Sequence, residues 1–96
     1  MIKSFGNRLA RDLYDDKVSR EVRAFPQELR TAARRKILYL HDAVELTDLR
    51  VPPGNRLEAL RGDLQGYHSI RINQQWRVVF RWKSGDAYDV QVLDYH

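Results

Sequence analysis

Between Arg56 and Lys83 the chain carries six cations, Arg56, Arg61, Arg71, Arg77, Arg81 and Lys83, against two acids, Glu58 and Asp63. Five of the six are arginines, whose planar forks match two phosphate oxygens at once, which a lysine point charge does not do. Tyr67, His68 and Tyr95 interleave with them. Rings beside a cationic strip suit single-stranded nucleic acid, because every base has a π-face and every link a negative charge. The same composition also fits a basic sheet face partly neutralised by its own acids, so composition leaves both readings open. Residues 94–96, Asp94-Tyr95-His96, set a carboxylate, a phenol and an imidazole in a row. An imidazole ionises near pH 6.5, roughly, and can exchange protons at neutrality. No histidine pair at i, i+4 spacing and no carboxylate cluster marks a zinc or magnesium site, so neither a metal nor another cofactor is expected.

The elements that must hold these residues change character near residue 55. Downstream the apolar period is two: Ile70 and Ile72 share one side of a strand, and Trp76, Val78, Phe80 and Trp82 share one side of the next. The opposite side presents Arg71, Arg77, Arg81 and Lys83, giving one apolar and one cationic face. A Ser84-Gly85 turn sets Val90 and Val92 opposite Val79 and Arg77, on the charged face, whereas a Ser84-Gly85-Asp86 loop sets them opposite Phe80 and Val78. The longer loop is the better register. It also faces Arg81 with Asp89 and returns residues 94–96 beside Arg77, with Tyr95 diagonally across.

Upstream the period is helical. Ile2-Lys3-Ser4-Phe5 is a β-prone opening stopped by Gly6 and Asn7, and Asn7 caps a helix whose Leu9 and Leu13 share a face. Pro26 suits the first position of a second helix carrying Leu29, Ala33, Ile37, Leu40 and Val44 on its apolar face. Arg30, Arg34, Arg35 and Lys36 lie on the other face, read as solvated exterior. Val51-Pro52-Pro53-Gly54-Asn55 then reverses the chain. His41 falls in the second helix and reads as structural.

A length of 96 residues and a hydrophobic fraction of 43% suit one core and one domain, residues 1–96, of α+β class, with N-terminal helices packed on one face of a small antiparallel-rich sheet. The formal charge of +4 favours an anionic partner. The absence of cysteine fits a reducing compartment, and no apolar run reaches the about 20 residues of a membrane span or the roughly 7–15 of a signal-peptide core. A cytoplasmic protein without a membrane partner is expected.

Met1-Ile2-Lys3-Ser4-Phe5, Asn55-Arg56-Leu57-Glu58-Ala59-Leu60-Arg61-Gly62-Asp63, Tyr67-His68-Ser69-Ile70-Arg71-Ile72, Gln75-Trp76-Arg77-Val78-Val79-Phe80-Arg81-Trp82, Gly85-Asp86-Ala87-Tyr88 and Asp94-Tyr95-His96 together resemble the HigB branch of the RelE/ParE toxin superfamily. The resemblance runs almost end to end, weakest over the first helices, and its most specific piece is Asp94-Tyr95-His96. It implies a compact RelE-like microdomain that cuts messenger RNA in the decoding site of a translating ribosome, as the toxin of a type II toxin–antitoxin system. A co-encoded antitoxin with a helix-turn-helix domain is implied as partner, and operator DNA is reached only through the antitoxin complex.

By the same resemblance Arg77, Asp94, Tyr95 and His96 form the active site; the chemistry of these side chains suits His96 to proton transfer, Arg77 to the phosphate, Tyr95 to the substrate and Asp94 to orienting its neighbours. Glu58 stands where some family members have a catalytic histidine, and its carboxylate is a second acid/base candidate. Arg61 is a further basic contact by the resemblance; the cationic strip itself offers Arg56, Arg71 and Arg81 as RNA contacts, and His68, which reads first as a structural or surface residue, lies near enough to the strip to touch RNA. The alternatives are a ParE-like module that binds DNA gyrase without cutting RNA, against which the Asp94-Tyr95-His96 run argues, and a plain RNA-binding module.

Overall fold

The computed structural model describes residues 1–95. His96 lies outside the described residues. Helix α1 spans Arg8–Tyr14 and starts at Asn7, whose side chain accepts from the Ala10 amide at 3.0 Å. The same Asn7 side chain donates to the Val92 carbonyl at 3.0 Å and accepts from its amide at 3.3 Å, so one residue starts the helix and fastens it to the sheet. A short helix α2, Arg20–Ala24, comes next behind a Ser19 cap, and the apolar spacing did not announce it. It exists because Val22 and Phe25, each 3% exposed, anchor it in the core, with the Phe25 ring edge-on to Trp76 at 4.8 Å. At five residues its own propensity is too weak to sustain it.

Pro26 precedes a tight 3-10 turn, Gln27–Leu29, which runs into α3, Arg30–Asp42. Ala33, Ile37 and Leu40 of α3 are fully buried, as its period requires. Val44 departs from the expectation and is 75% exposed. The helix ends two residues earlier, because Asp48 accepts the Val44 and Glu45 amides at 3.0 and 2.9 Å and starts a new turn; Ala43 is buried in its stead. The basic face of α3 is not uniformly solvated either. Lys36 donates to Asn55, itself fully buried and donating to the Leu49 and Val51 carbonyls at 3.1 and 3.3 Å. Burial first, and then neighbouring Arg35, hold the Lys36 ammonium below its ordinary pKa. This lysine fastens the loop before the sheet.

The sheet has the order β1-β2-β3-β4, all antiparallel, with β1 at Glu58–Ala59, β2 at His68–Arg71, β3 at Trp76–Lys83 and β4 at Asp86–Asp94. The opening residues Ile2 and Phe5 form parallel bridges to Ala87 and Val90 beyond β4. Helices cover one face, where Ile70, Val78, Phe80, Val90 and Val92 join the core of α1 and α3.

The β3–β4 hairpin combines both registers considered from sequence. Its turn is the two-residue Ser84-Gly85, with both φ angles positive (52° and 83°), the geometry that suits strand twist. Tyr88 therefore pairs with Arg81 and Ala87 with Trp82. A bulge at Asp89, φ 53°, then shifts the ladder so that Val92 pairs with Val78 and Leu93 with Arg77. One extra residue inverts the facing of the strand beyond it, which is why Ala87, Val90 and Val92 are all buried despite their mismatched parity. Ser4 supports the bulge: its hydroxyl accepts from the Asp89 amide at 2.9 Å and its carbonyl from Val90 at 3.1 Å.

Candidate active site and nucleic-acid interface

The face of the sheet away from the helices is not a uniformly wet cationic surface. Ser69 and Val79 are fully buried there and Arg77 is 7% exposed. Arg77 is drawn from β3 toward β1: its Nη1 donates to Ser69 Oγ at 2.8 Å and its Nη2 to Glu58 Oε1 at 3.2 Å. The register builds this contact, because Ser69 pairs with Glu58 on one side and with Val79 on the other, one step along the same face from Arg77. The Tyr95 ring covers the guanidinium, 4.8 Å from Cζ, within cation–π range. Glu58 and Tyr95, the partners of this guanidinium, line an open hollow with Ala59, Leu60 and Arg61. Another hollow, between the three helices, is bordered by Asp12, Arg30 and Arg34 and touches none of these residues.

Tyr95 is held by the β2–β3 turn. Its amide donates to the Gln75 carbonyl at 2.6 Å, while Gln75 Nε2 donates to Asp94 Oδ2 at 2.8 Å. Asn73 Oδ1 shapes that turn by accepting from the Gln75 and Trp76 amides at 2.8 and 2.7 Å. Asp94 thus turns its carboxylate to Gln75. Gln75→Glu sets like charges together and Gln75→Lys keeps a donor, so the glutamate variant should be less stable by up to about 1 kcal/mol and the lysine variant like the parent, since exposed pairs contribute about 0–1 kcal/mol. Equal stabilities in both variants count against the tie.

A second tyrosine shields a second arginine. The Tyr67 ring lies 4.5 Å from the Arg81 Cζ, and Arg81 Nε reaches Asp89 Oδ2 at 3.5 Å. The adjacent Tyr67 side chain first, and then the Asp89 carboxylate, raise the Arg81 pKa above the ordinary arginine value.

The profile of a family described as the RelE-like toxin of type II toxin-antitoxin system HigB matches residues 3–96. The chain belongs to this HigB-like toxin family. It is 38% identical over 96 residues to Toxin HigB-1 of Vibrio cholerae, covering 100% of this chain and 98% of that protein. It is 29% identical over 102 residues to Endoribonuclease HigB of Proteus vulgaris, covering 100% of both. Among solved structures, the YoeB-YefM complex from Staphylococcus aureus aligns with a TM-score of 0.58 at 19% identity, over 100% of this chain and 98% of that one. The YoeB dimer from the same organism aligns at 0.58 and 18% identity, over 99% and 97%. At these identities the likeness is one of fold, and it is the RelE-like fold the sequence resemblance implied.

For a HigB-like toxin, the residues implied by sequence fall into distinct groups. Arg77, Glu58 and Tyr95 meet at one point, with Arg61 on the rim of the same hollow. Arg71 lies directly opposite Arg77 on β2, and Arg81 continues the strip along β3. Arg56 is exposed in a left-handed turn, φ 46°, ahead of β1. His68 takes the structural one of its two sequence readings. Strand alternation turns it to the helix-packed side with Ile70, where its ring stacks on Phe80 at 6.1 Å and its Nδ1 is buried without a partner. It belongs to the edge of the core, not to the basic strip. Ser69, Asn73 and Gln75 escaped the sequence reading, because a serine inside a strand and polar turn residues carry no chemical signature on their own.

Proposed function

We propose that this HigB-like toxin is an endoribonuclease that cuts messenger RNA on the translating ribosome, in the cytoplasm, and that a co-encoded helix-turn-helix antitoxin restrains it. The observation that carries this reading is the Arg77 guanidinium, oriented by Ser69 and Glu58 and covered by Tyr95, with Glu58 and Tyr95 themselves lining an open hollow. The name of the Proteus vulgaris relative, Endoribonuclease HigB, supports the same chemistry.

In the proposed metal-free cleavage the ribose 2′-oxygen attacks phosphorus as its proton passes to a base. The bond from phosphorus to the 5′-oxygen breaks, and an acid protonates that oxygen. Negative charge builds on the non-bridging oxygens, where a fixed guanidinium is most effective. Arg77 supplies that cation. His96 transfers one proton and Glu58 the other, 3.2 Å from Arg77 and on the open side of the hollow. Tyr95 offers its free ring face to a base, and Asp94 keeps Tyr95 in place through Gln75. Arg61, Arg71, Arg81 and Arg56 steer the RNA backbone.

Cleavage of a reporter messenger RNA in a translating extract tests the reaction, with gyrase supercoiling assayed beside it. Cleavage with unaffected supercoiling is expected; the reverse pattern assigns the protein to the gyrase-binding class. Binding of single-stranded RNA should weaken with salt, and the slope of log affinity on log salt should fall by about 0.7 for each cation removed. The double variant Arg61→Ala, Arg71→Ala is therefore expected to lower it by roughly 1.4. An unchanged slope moves the RNA path off this face.

A further inference from the structure

The side chain of Arg77 is 8% exposed, although a guanidinium has five N–H donors that burial alone leaves unmet. Its two polar partners differ in kind. The Glu58 side chain is 47% exposed on a two-residue strand and borders the hollow, so an arriving phosphate can take its place at Nη2. Ser69 is fully buried in the middle of the sheet, between β1 and β3. Nothing entering from the hollow reaches its hydroxyl. Among the described residues that hydroxyl has one hydrogen bond, to Arg77 Nη1 at 2.8 Å.

We propose that Ser69 is a positioning residue for Arg77: it holds Nη1 from within the sheet, so that Nη2 is kept toward Glu58 at the wall of the hollow and is free to exchange that carboxylate for a substrate phosphate. The inference rests on the catalytic role proposed for Arg77. Two features of the strip show why an anchor is needed. Arg71 stands directly opposite Arg77, and like charges at a cross-strand pair repel. Glu58 is the only anion within bonding distance of Arg77 among the described residues. Without the Ser69 hydroxyl the guanidinium is pushed by Arg71 and held by Glu58 alone, through the single Nη2 contact to a half-exposed carboxylate. The fork that should meet phosphate is then free to rotate and no longer fixed in one orientation.

A neutral acceptor is the right chemistry for the inner partner. A carboxylate at position 69 competes with phosphate for the cation, and an apolar side chain leaves Nη1 unmet. A buried hydroxyl satisfies one donor and leaves the charge intact for substrate. Position 69 faces Val79 and adjoins Ile70, both fully buried, where packing alone favours a β-branched apolar residue. The hydroxyl is explained by Arg77 and by no other contact described.

The test uses the full chain. Ser69→Ala is expected to lower single-turnover messenger RNA cleavage about tenfold, the scale of one hydrogen bond to a charged group. Ser69→Cys, which refills the volume with a weak acceptor, should lose a similar factor, so a cavity effect in the alanine variant is separable. In an Arg77→Lys background, where no fork remains to orient, Ser69→Ala should cost less than about twofold more. Nitrogen-15 NMR of the Arg77 guanidinium supplies a readout independent of activity: separate Nη1 and Nη2 signals in the parent, merged by free rotation in both Ser69 variants. Cleavage by Ser69→Ala and Ser69→Cys within twofold of the parent, an equal loss in the lysine background, or guanidinium signals that stay separate overturns the positioning role. Arg77→Ala, run alongside, distinguishes the failures. If it cleaves like the parent, the reading of the site is wrong, whereas an inactive Arg77→Ala beside fully active Ser69 variants overturns Ser69 alone.

Discussion

Arg77→Ala is expected to lower single-turnover cleavage of messenger RNA by about 10²–10³-fold, the loss typical when a fixed donor to developing charge is removed. A guanidinium already oriented by Ser69 and Glu58 has no reorganisation left to undergo when charge builds on the phosphate. The fold should survive with a measurable penalty. Removing the side chain leaves Ser69 Oγ buried without its partner and opens space under Tyr95, a cost of about 1–3 kcal/mol. For a domain of this size that corresponds to a fall in melting temperature of about 4–8 °C per kcal/mol, with cooperative unfolding retained. Glu58 is left with nearly half of its side chain in water, so its lost partner adds little. Arg77→Lys should recover stability better than activity, because the charge returns without the planar fork. Cleavage and growth inhibition at the parental level, or loss of cooperative unfolding, rejects the assignment.

His96→Ala is expected to slow cleavage by about 10²–10⁴-fold, the range of a single proton-transfer group, with a melting temperature equal to the parent's. His96 lies outside the described residues, so the expectation rests on the family resemblance and on its peptide bond to Tyr95, whose ring covers Arg77 at 4.8 Å. The plot of log rate against pH should lose the limb near roughly pH 6.5 that an imidazole provides. The remaining limb then belongs to the other proton-transfer group, and adding Glu58→Gln should remove it. A His96→Ala rate within about threefold of the parent, far below the expected range, shifts the chemistry to Tyr95 with Arg77.

Much of the frame was legible in the residues. Asn7 capped its helix as a short polar side chain before an apolar run should, and the period of two in β3 placed Val78 and Phe80 in the core. The hairpin shows where such reasoning stops. Parity demanded that Val90 and Val92 face inward, which favoured a three-residue loop, whereas the positive φ angles of Ser84 and Gly85 set a two-residue turn. The two requirements conflict in a regular ladder. The protein meets both by bulging at Asp89, and what stabilises the bulge is Ser4, 85 residues away, which satisfies the freed amide. No local rule contains that partner.

The sequence by itself determined helices α1 and α3, the β3–β4 hairpin and the inner face of β3, because periodicity is a local property, and its family resemblance grouped Arg77, Tyr95 and Glu58 as one expected site. Only the tertiary structure decided that Arg77 is buried and not displayed, that His68 belongs with Phe80, and that Ser69 and Gln75 hold the site together. Those outcomes depend on which strand lies beside which: β1 brings Glu58 across from Ser69, and the bulge carries Tyr95 back over Arg77. Burial and hydrogen-bond pairing are properties of neighbours, and residues 58, 69, 77 and 95 become neighbours only when the sheet is assembled.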